Sequence, residues 1–246
     1  MIAQRFTIDS FGISDPGKVR DLNEDRFIAR PDMGLWAVAD GMGGHDAGEI
    51  ASRIITDEVA SIGISSSGPD LEERFVDRIT RANQEIRAMG TARGSTMGAT
   101  LAALLVFEDQ FVAIWSGDSR IYRLTPRGLV QVTRDHTEVQ DLLDKGVITE
   151  EQAATWPRKN VITRAIGVYD MPRLDRHYGR IAAGEMFLMC SDGLTAHVTD
   201  PEIGAALRRG SSETICQGLL ATTLDRGASD NVTILAIGFD RPGGAG

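Results

Sequence analysis

The 246-residue sequence contains two cysteines and four histidines, and it has no long apolar run. Cys190 and Cys216 are too few for a disulfide scaffold, and their apolar surroundings favour buried thiols. No stretch approaches the ~20 apolar residues that a membrane span requires. The first fifteen residues lack a basic stretch followed by an apolar one, which argues against a signal peptide. We therefore expect a cytoplasmic protein.

Positive charge is also scarce. Lysine and arginine total 26 against 35 aspartates and glutamates, a net charge of −9, so a nucleic-acid-binding face is not expected. The net charge does not exclude binding of phosphorylated ligands, because a bound cation can invert the local charge. The sequence has no Cys-x5-Arg, Asp-x-Asp, P-loop, HExxH or CxxC motif. These absences argue against phosphoenzyme chemistry, P-loop nucleotide chemistry and the corresponding zinc sites.

Short apolar or alternating segments and helical apolar stripes make up most of the remaining chain. The helical stripes cover 50–62 and 71–89, and two further helices begin near Thr199 and Ser211. Because the helices come in pairs between runs of strands, we predict an α+β fold rather than a doubly wound parallel sheet. Strands are predicted over 6–13, 26–29, 34–39, 100–107, 110–115, 120–124, 129–132, 186–190 and 232–239.

The predicted organisation is a single domain over residues 1–241. A polar segment over about 133–167 interrupts the strand series, carries short helical pieces around 138–145 and 149–155, and is predicted to form a small flap insert. Residues 242–246 are predicted to be a disordered tail, because they consist almost entirely of proline and glycine.

Aspartates stand where four apolar strands begin or end. Asp40, Asp118 and Asp192 follow strands, and Asp230 precedes the last one. A single strand-end aspartate often caps a turn, but four that converge would share a small, partly desolvated space and would require cations. Carboxylate oxygens, together with the Gly41 carbonyl, suit Mg²⁺ or Mn²⁺ better than zinc. A shared carboxylate would hold two ions roughly 3.5–4 Å apart.

An arginine precedes two further acids near the start of the chain. Arg20 stands four residues before Glu24 and five before Asp25. Arginine suits the bidentate capture of phosphate, although a surface salt bridge is an alternative role for a single arginine.

Eight ordered sequence blocks resemble those of the PP2C-type (PPM) metal-dependent protein phosphatases. A lone Asp-Gly pair carries little information, but eight blocks in order are specific, and the match covers about residues 12–240. The compact length and the Gly-Met-Gly-Gly-His form resemble the bacterial branch. The blocks are RDLNED at 20–25, VADGMGGH at 38–45 with AGEIAS at 47–52, GSTMGAT at 94–100, GDSR at 117–120, DH at 135–136, TRAIG at 163–167, SDGL at 191–194 and SDNVT at 229–233.

The resemblance implies a four-layer αββα sandwich, in which two antiparallel sheets lie between helix pairs and the flap lies beside the site. It implies two Mn²⁺ or Mg²⁺ ions bridged by the Asp40 carboxylate. The Gly41 carbonyl would bind one ion, and Asp192 and Asp230 would bind the other.

The same resemblance implies supporting roles for the remaining candidates. Asp118, with Asp192, would hold a third, weaker ion. Asp25, as a catalytic residue, and Glu24 would act mainly through metal-bound waters. Arg20 would bind the substrate phosphate.

The sequence does not identify the general acid. The animal branch uses a histidine further along the chain, for which this sequence offers no clear counterpart. His45 either protonates the leaving oxygen or only stabilises its loop. His136 on the flap and a metal-bound water are the alternatives.

The reaction implied is hydrolysis of phosphoserine and phosphothreonine in proteins, by in-line attack of a hydroxide bridging two metal ions. The expected partners are phosphorylated proteins and a cognate bacterial Ser/Thr kinase, and the protein is expected to be a monomer. Two other functions stay open: a catalytically silent module that binds phosphoproteins, and a hydrolase of small phosphate esters.

Overall fold

A computed structural model describes residues 5–43, 46–158 and 161–242. Two sheets account for its strands, and all strand pairs are antiparallel. The first sheet has the order β1 (Thr7–Asp15), β11 (Val232–Asp240), β10 (Glu185–Cys190), β7 (Arg120–Thr125) and β8 (Gly128–Gln131). The second has the order β2 (Asp25–Arg30), β3 (Leu35–Met42), β5 (Leu101–Phe107), β6 (Gln110–Ser116) and β9 (Asp175–Arg180), with the short β4 (Gly98–Ala99) paired to β3.

The two sheets pack face to face through large aromatic side chains. Phe111 of the second sheet contacts Phe187 of the first edge-to-face, with ring centroids 5.1 Å apart, and Trp36 contacts Phe239 at 6.0 Å. Alternation along β3 explains how a strand can be buried on both sides. Trp36 and Val38 face the other sheet, while the residues between them face the helices.

Helix pairs form the two outer layers. Helices α1 (Ala47–Ala60) and α2 (Gly68–Arg93) cover the second sheet with the predicted apolar stripes. The first sheet is covered by α6 (Asp200–Ala206) and α7 (Ser212–Asp225), next to the one-turn α5 (Asp192–Thr195). The predicted α+β fold, a four-layer αββα sandwich with two antiparallel sheets, is therefore confirmed.

The polar segment between β8 and β9 contains two short helices, α3 (Glu138–Asp144) and α4 (Glu150–Ala154). Both are capped at their N-termini, because the hydroxyls of Thr137 and Thr149 accept hydrogen bonds from the first turns. An isolated bridge from Thr137 to Ile162 closes the segment on itself, and a bridge from Ile166 to Ala99 ties it to β4. Its extent as a flap stays a prediction.

Two local expectations differ from the structure. Strand β9 has no counterpart in the sequence prediction, because the edge strand DRHYGR carries exposed polar side chains in place of an apolar pattern. Helix α2 begins at Gly68, three residues before the predicted apolar stripe, because the Ser67 hydroxyl caps it and Pro69 occupies its first turn. The predicted tail lies largely outside the described residues, which end at residue 242.

Both cysteines are buried free thiols, as their apolar surroundings predict. Among the helices of the described residues, none combines the length and hydropathy that crossing a membrane would require.

Candidate metal centre

The predicted strand-end acids line one cleft of about 280 Å³ at an end of the sandwich. The first sheet contributes Asp192 after β10 and Asp230 before β11, and the second contributes Asp40 near the end of β3. Asp118, from the connection between β6 and β7, completes the group. Arg20, Glu24 and Gly41 line the same cleft, so the structure brings together side chains that lie up to 210 residues apart in sequence.

Strands β2 and β3 place Asp25 directly opposite Asp40, a pairing that puts Cβ atoms roughly 5 Å apart. Asp25 is 1% exposed. Its Oδ2 accepts a 2.7 Å hydrogen bond from the Ser191 hydroxyl, and its buried Oδ1 has no partner among the described residues. Burial and the neighbouring aspartates raise the pKa of Asp25 to about 7 and the pKa of Asp40 well above its usual value.

Asp118 and Asp192 are subject to the same two effects. Burial, and then repulsion from Asp192, raise the pKa of Asp118 to about 7. Burial and the Asp230 carboxylate raise the pKa of Asp192. Gly117 holds the Asp118 loop in a conformation with φ +114°, and a Cβ there would lie 2.7 Å from the Thr100 side chain. A glycine is therefore required at this turn.

The turn after β3 approaches Glu24 too closely for a side chain. The Gly41 N–H donates to the Glu24 carbonyl at 3.1 Å, and a Cβ on Gly41 would lie 2.2 Å from the Gly48 carbonyl oxygen. The Glu24 carboxylate lies against Gly48 in the first turn of α1, and burial raises its pKa. Its Oε1 is buried and has no partner within the described part of the chain.

Asn231 joins the acidic loops, a role that the sequence analysis did not identify. Its Oδ1 accepts from the Glu24 N–H at 2.8 Å, and its Nδ2 donates to the carbonyls of Pro16 and Leu22 at 3.0 and 2.8 Å. Its position between Asp230 and β11 was visible in the sequence, but these bonds to backbone groups were not. Ser191 was missed for the same reason, and its hydroxyl contacts Asp25.

Arg20 lies at the mouth of the cleft. Its Nη2 donates to Asp230 Oδ2 at 2.8 Å, and about half of its side chain, 54%, is exposed. The ion pair with Asp230 raises the pKa of Arg20 further above its usual value, so the guanidinium is a permanent cation with donors left for an anion.

The donor chemistry of this cleft fits divalent metal ions. Its candidate ligands are hard oxygens, and two carboxylate oxygens are buried without partners among the described residues. Burial and then repulsion between neighbouring carboxylates raise the pKa values of these acids, and a bound cation would relieve both effects. Within the described residues no three acidic, histidine or cysteine side chains form a ready-made metal cage. Carboxylates converge on a shared ion only as the ion neutralises their mutual repulsion. The separation of these carboxylates without an ion is therefore compatible with binding of Mg²⁺ or Mn²⁺.

His45 and His136 are the two histidines considered as the general acid, and the structure describes only His136. His45 lies outside the described residues. His136 is buried and is absent from the residues that line the cleft. Its Nδ1 accepts from the Gly117 N–H at 3.1 Å and its Nε2 bonds to Asp175 Oδ2 at 3.1 Å, so both ring nitrogens are engaged in holding structure.

Comparison with known proteins agrees with this geometry. The Protein phosphatase 2C family model matches residues 18–217. The serine/threonine protein phosphatase PstP of Mycobacterium tuberculosis is 37% identical over 225 residues, which cover 90% of this chain and 43% of PstP. The chain thus spans less than half the length of that relative.

Two further similarities extend over nearly the whole of both chains. The serine/threonine phosphatase stp of Listeria monocytogenes is 33% identical over 239 residues, covering 92% of this chain and 94% of stp. The solved catalytic domain of PstP, in complex with two manganese ions, has a TM-score of 0.84 and 35% identity, covering 96% of this chain and 99% of that structure. The motif resemblance is confirmed, and the chain belongs to the protein phosphatase 2C family, whose members are metal-dependent serine/threonine phosphatases.

Proposed function

We propose that this protein hydrolyses phosphoserine and phosphothreonine in other proteins with the help of Mn²⁺ or Mg²⁺. The observation that carries the proposal is the group of buried carboxylates with raised pKa values beside an exposed arginine. Such a site attracts divalent cations inside the cleft and a phosphate at its mouth. Neither cysteine is placed to form a phosphoenzyme, because Cys190 and Cys216 are buried in the apolar core.

Two ions would be held by Asp40, the Gly41 carbonyl, Asp192 and Asp230. Asp118 and Asp192 would hold a third, weaker ion. When bound, the ions supply positive charge for the phosphate oxygens and an activated water as nucleophile.

Arg20 and Asp25 have separate tasks in this proposal. The Arg20 guanidinium binds the phosphate and neutralises charge on its equatorial oxygens. The Ser191 hydroxyl fixes Oδ2 of Asp25, and the buried Oδ1 has no partner among the described residues. Asp25 would orient the attacking water and receive its proton, and Glu24 would bind water molecules around the ions.

The leaving serine or threonine oxygen needs a proton, and we retain His45 as its donor. The alternative histidine on the flap, His136, is less suited to this task because its Nδ1 is occupied by the Gly117 N–H. We also propose phosphoproteins as substrates, a cognate Ser/Thr kinase as the enzyme that is reversed, a monomeric state and a cytoplasmic location.

Phosphate release from a phosphothreonine peptide and from p-nitrophenyl phosphate, with Mn²⁺ or with EDTA, tests the proposal. We expect hydrolysis of both with Mn²⁺ and none after chelation. Asp40→Asn and Asp192→Asn should abolish turnover while the fold stays intact, and Asp32→Asn, in a turn where the side chain is 72% exposed, is the matched control.

Each alternative function has a different outcome in this assay. Binding of the phosphopeptide without release of phosphate would identify a silent module. Hydrolysis of p-nitrophenyl phosphate alone would identify a small-ester hydrolase. Turnover that survives complete chelation, or full activity of Asp40→Asn, would refute the metal mechanism.

A further inference from the structure

A second cleft, of about 490 Å³, lies outside the metal centre. It is formed between the edge strand β8 and helix α6, and Arg208 and Arg209 line one side of it. The two nearby acids are bonded to other side chains and form no ion pair with these arginines. Glu202 is paired with Arg226 at 2.6 Å, and Asp200 accepts a 2.9 Å hydrogen bond from the Tyr122 hydroxyl.

Neither arginine has an ion pair with another of the described residues, although most arginines of that part of the chain do. Two adjacent guanidinium groups repel each other, and an anion placed between them removes that repulsion. In a protein with a net charge of −9, this cleft is a local site for negative charge.

The arginine cleft is connected to the metal centre. A middle pocket of about 310 Å³ contains Asp118 and Asp192 at one end and Arg120, Asp135 and Thr195 further along. Arg120 is held on Asp135 by a 2.6 Å ion pair.

Two hydrogen-bonded links lead from this pocket to the arginine cleft. The Arg120 Nη1 donates to the Tyr122 hydroxyl, which donates to Asp200. Gln131 Nε2 donates to Asp135 Oδ1 at 2.8 Å. The middle pocket also shares Asp118 and Asp192 with the metal cleft, so the three clefts lie side by side, and we call the row that they form the groove.

We propose that Arg208 and Arg209 bind an acidic segment of the phosphoprotein substrate and thereby determine specificity. The inference rests on the proposed function, because the groove starts at the metal centre. An extended peptide fits this place, since β8 is a sheet edge with its outer backbone groups open to pairing. Arginine suits the carboxylates of such a segment better than lysine would, because its fork binds both oxygens.

Phosphothreonine peptides that differ in the position of a Glu-Glu pair test this inference. The pair is placed about four to eight residues from the phosphothreonine, on the N-terminal side in one series and the C-terminal side in another, and a Gln-Gln pair serves as the neutral peptide. We expect kcat/KM about three- to tenfold higher for one acidic register than for its neutral counterpart, and a smaller difference at high salt.

The double variant Arg208→Gln/Arg209→Gln should lose this preference, while its activity on the neutral peptide and on p-nitrophenyl phosphate stays unchanged. The matched control is Arg53→Gln/Arg241→Gln, which removes the same charge from exposed positions outside the groove. Charge reversal, Arg208→Glu/Arg209→Glu, should favour a Lys-Lys pair in the same register.

An equal preference in the wild type and the glutamine variant would overturn the inference while leaving the proposed function intact. Loss of the preference in the control variant would also overturn it, because net charge and not the cleft would then be responsible. Failure to hydrolyse even the neutral peptide would refute the proposed function together with this inference.

Discussion

Asp25 and Asp40 stand opposite each other on neighbouring antiparallel strands, and burial raises the pKa of both carboxyl groups. Like charges in directly opposed positions destabilise a sheet. The fold tolerates the pair because the two acids protonate at higher pH than usual or share a cation. This opposition couples the stability of the protein to pH and to metal ions.

The first prediction concerns the stability of the metal-free protein. A folded-state pKa near 7 for Asp25 and Asp118 means that the folded protein holds protons that the unfolded chain releases near pH 4. Their contribution to stability is complete below about pH 4 and is lost as the pH rises through about 7. We expect the Tm in EDTA to fall between about pH 5 and pH 8, measured by calorimetry.

Metal ions and a neutral variant provide the controls for this experiment. Mn²⁺ should raise the Tm more at about pH 8 than at about pH 5, because protons compete with it for the carboxylates. Asp25→Asn should flatten the pH dependence in EDTA. A Tm that rises steadily with pH in EDTA would contradict the prediction.

The second prediction concerns Arg20. Its guanidinium is held on Asp230 at 2.8 Å and is half exposed, so we expect it to be available to a phosphate at the cleft mouth and not to be needed for folding. Arg20→Ala should raise the KM for a phosphopeptide about tenfold or more with a smaller effect on kcat. Arg20→Lys should recover part of the loss, because it restores the charge without the fork. An unchanged KM in the alanine variant would remove Arg20 from phosphate binding.

The third prediction concerns Asn231, whose amide makes three hydrogen bonds to backbone groups of the loop that carries Arg20 and Glu24. Asn231→Ala should destabilise the protein by about 2–4 kcal/mol, because buried backbone groups lose their partners. Urea unfolding measures the loss. Asn231→Asp keeps the acceptor for the Glu24 N–H but loses both donors, so it should remain substantially destabilised. A change below about 0.5 kcal/mol in Asn231→Ala would show that water replaces the amide.

The fourth prediction concerns His136. Burial lowers its pKa, and its unprotonated Nδ1 accepts from the Gly117 N–H beside Asp118. Because an asparagine amide oxygen can replace Nδ1, His136→Asn should preserve this bond, whereas His136→Gln should lose it. We expect His136→Gln to need a higher Mn²⁺ concentration for half-maximal activity, about three- to tenfold, with His136→Asn closer to the wild type. Equal values for the two variants would argue against a positioning role.

Sequence patterns were sufficient for the layers and for the acids of the cleft. Alternation along β3 and the apolar stripes of α1 and α2 follow directly from burial. Three of the four strand-end aspartates, Asp40, Asp118 and Asp192, stand beside a glycine, which allows a sharp turn. Patterns could not identify β9, whose polar side chains face solvent at a sheet edge. They also could not show that Ser191 and Asn231 bond to specific atoms, because those bonds depend on contacts between distant segments.

The pairing of β1 with β11 has a consequence for protein synthesis. The first strand of the fold finds its partner along nine residue pairs in the last one, and the Arg20–Asp230 and Glu24–Asn231 contacts on which the cleft depends span 210 and 207 residues. A nascent polypeptide still attached to the ribosome before residue 230 is translated lacks both contacts. The metal cleft can therefore be completed only after the last strand has been translated.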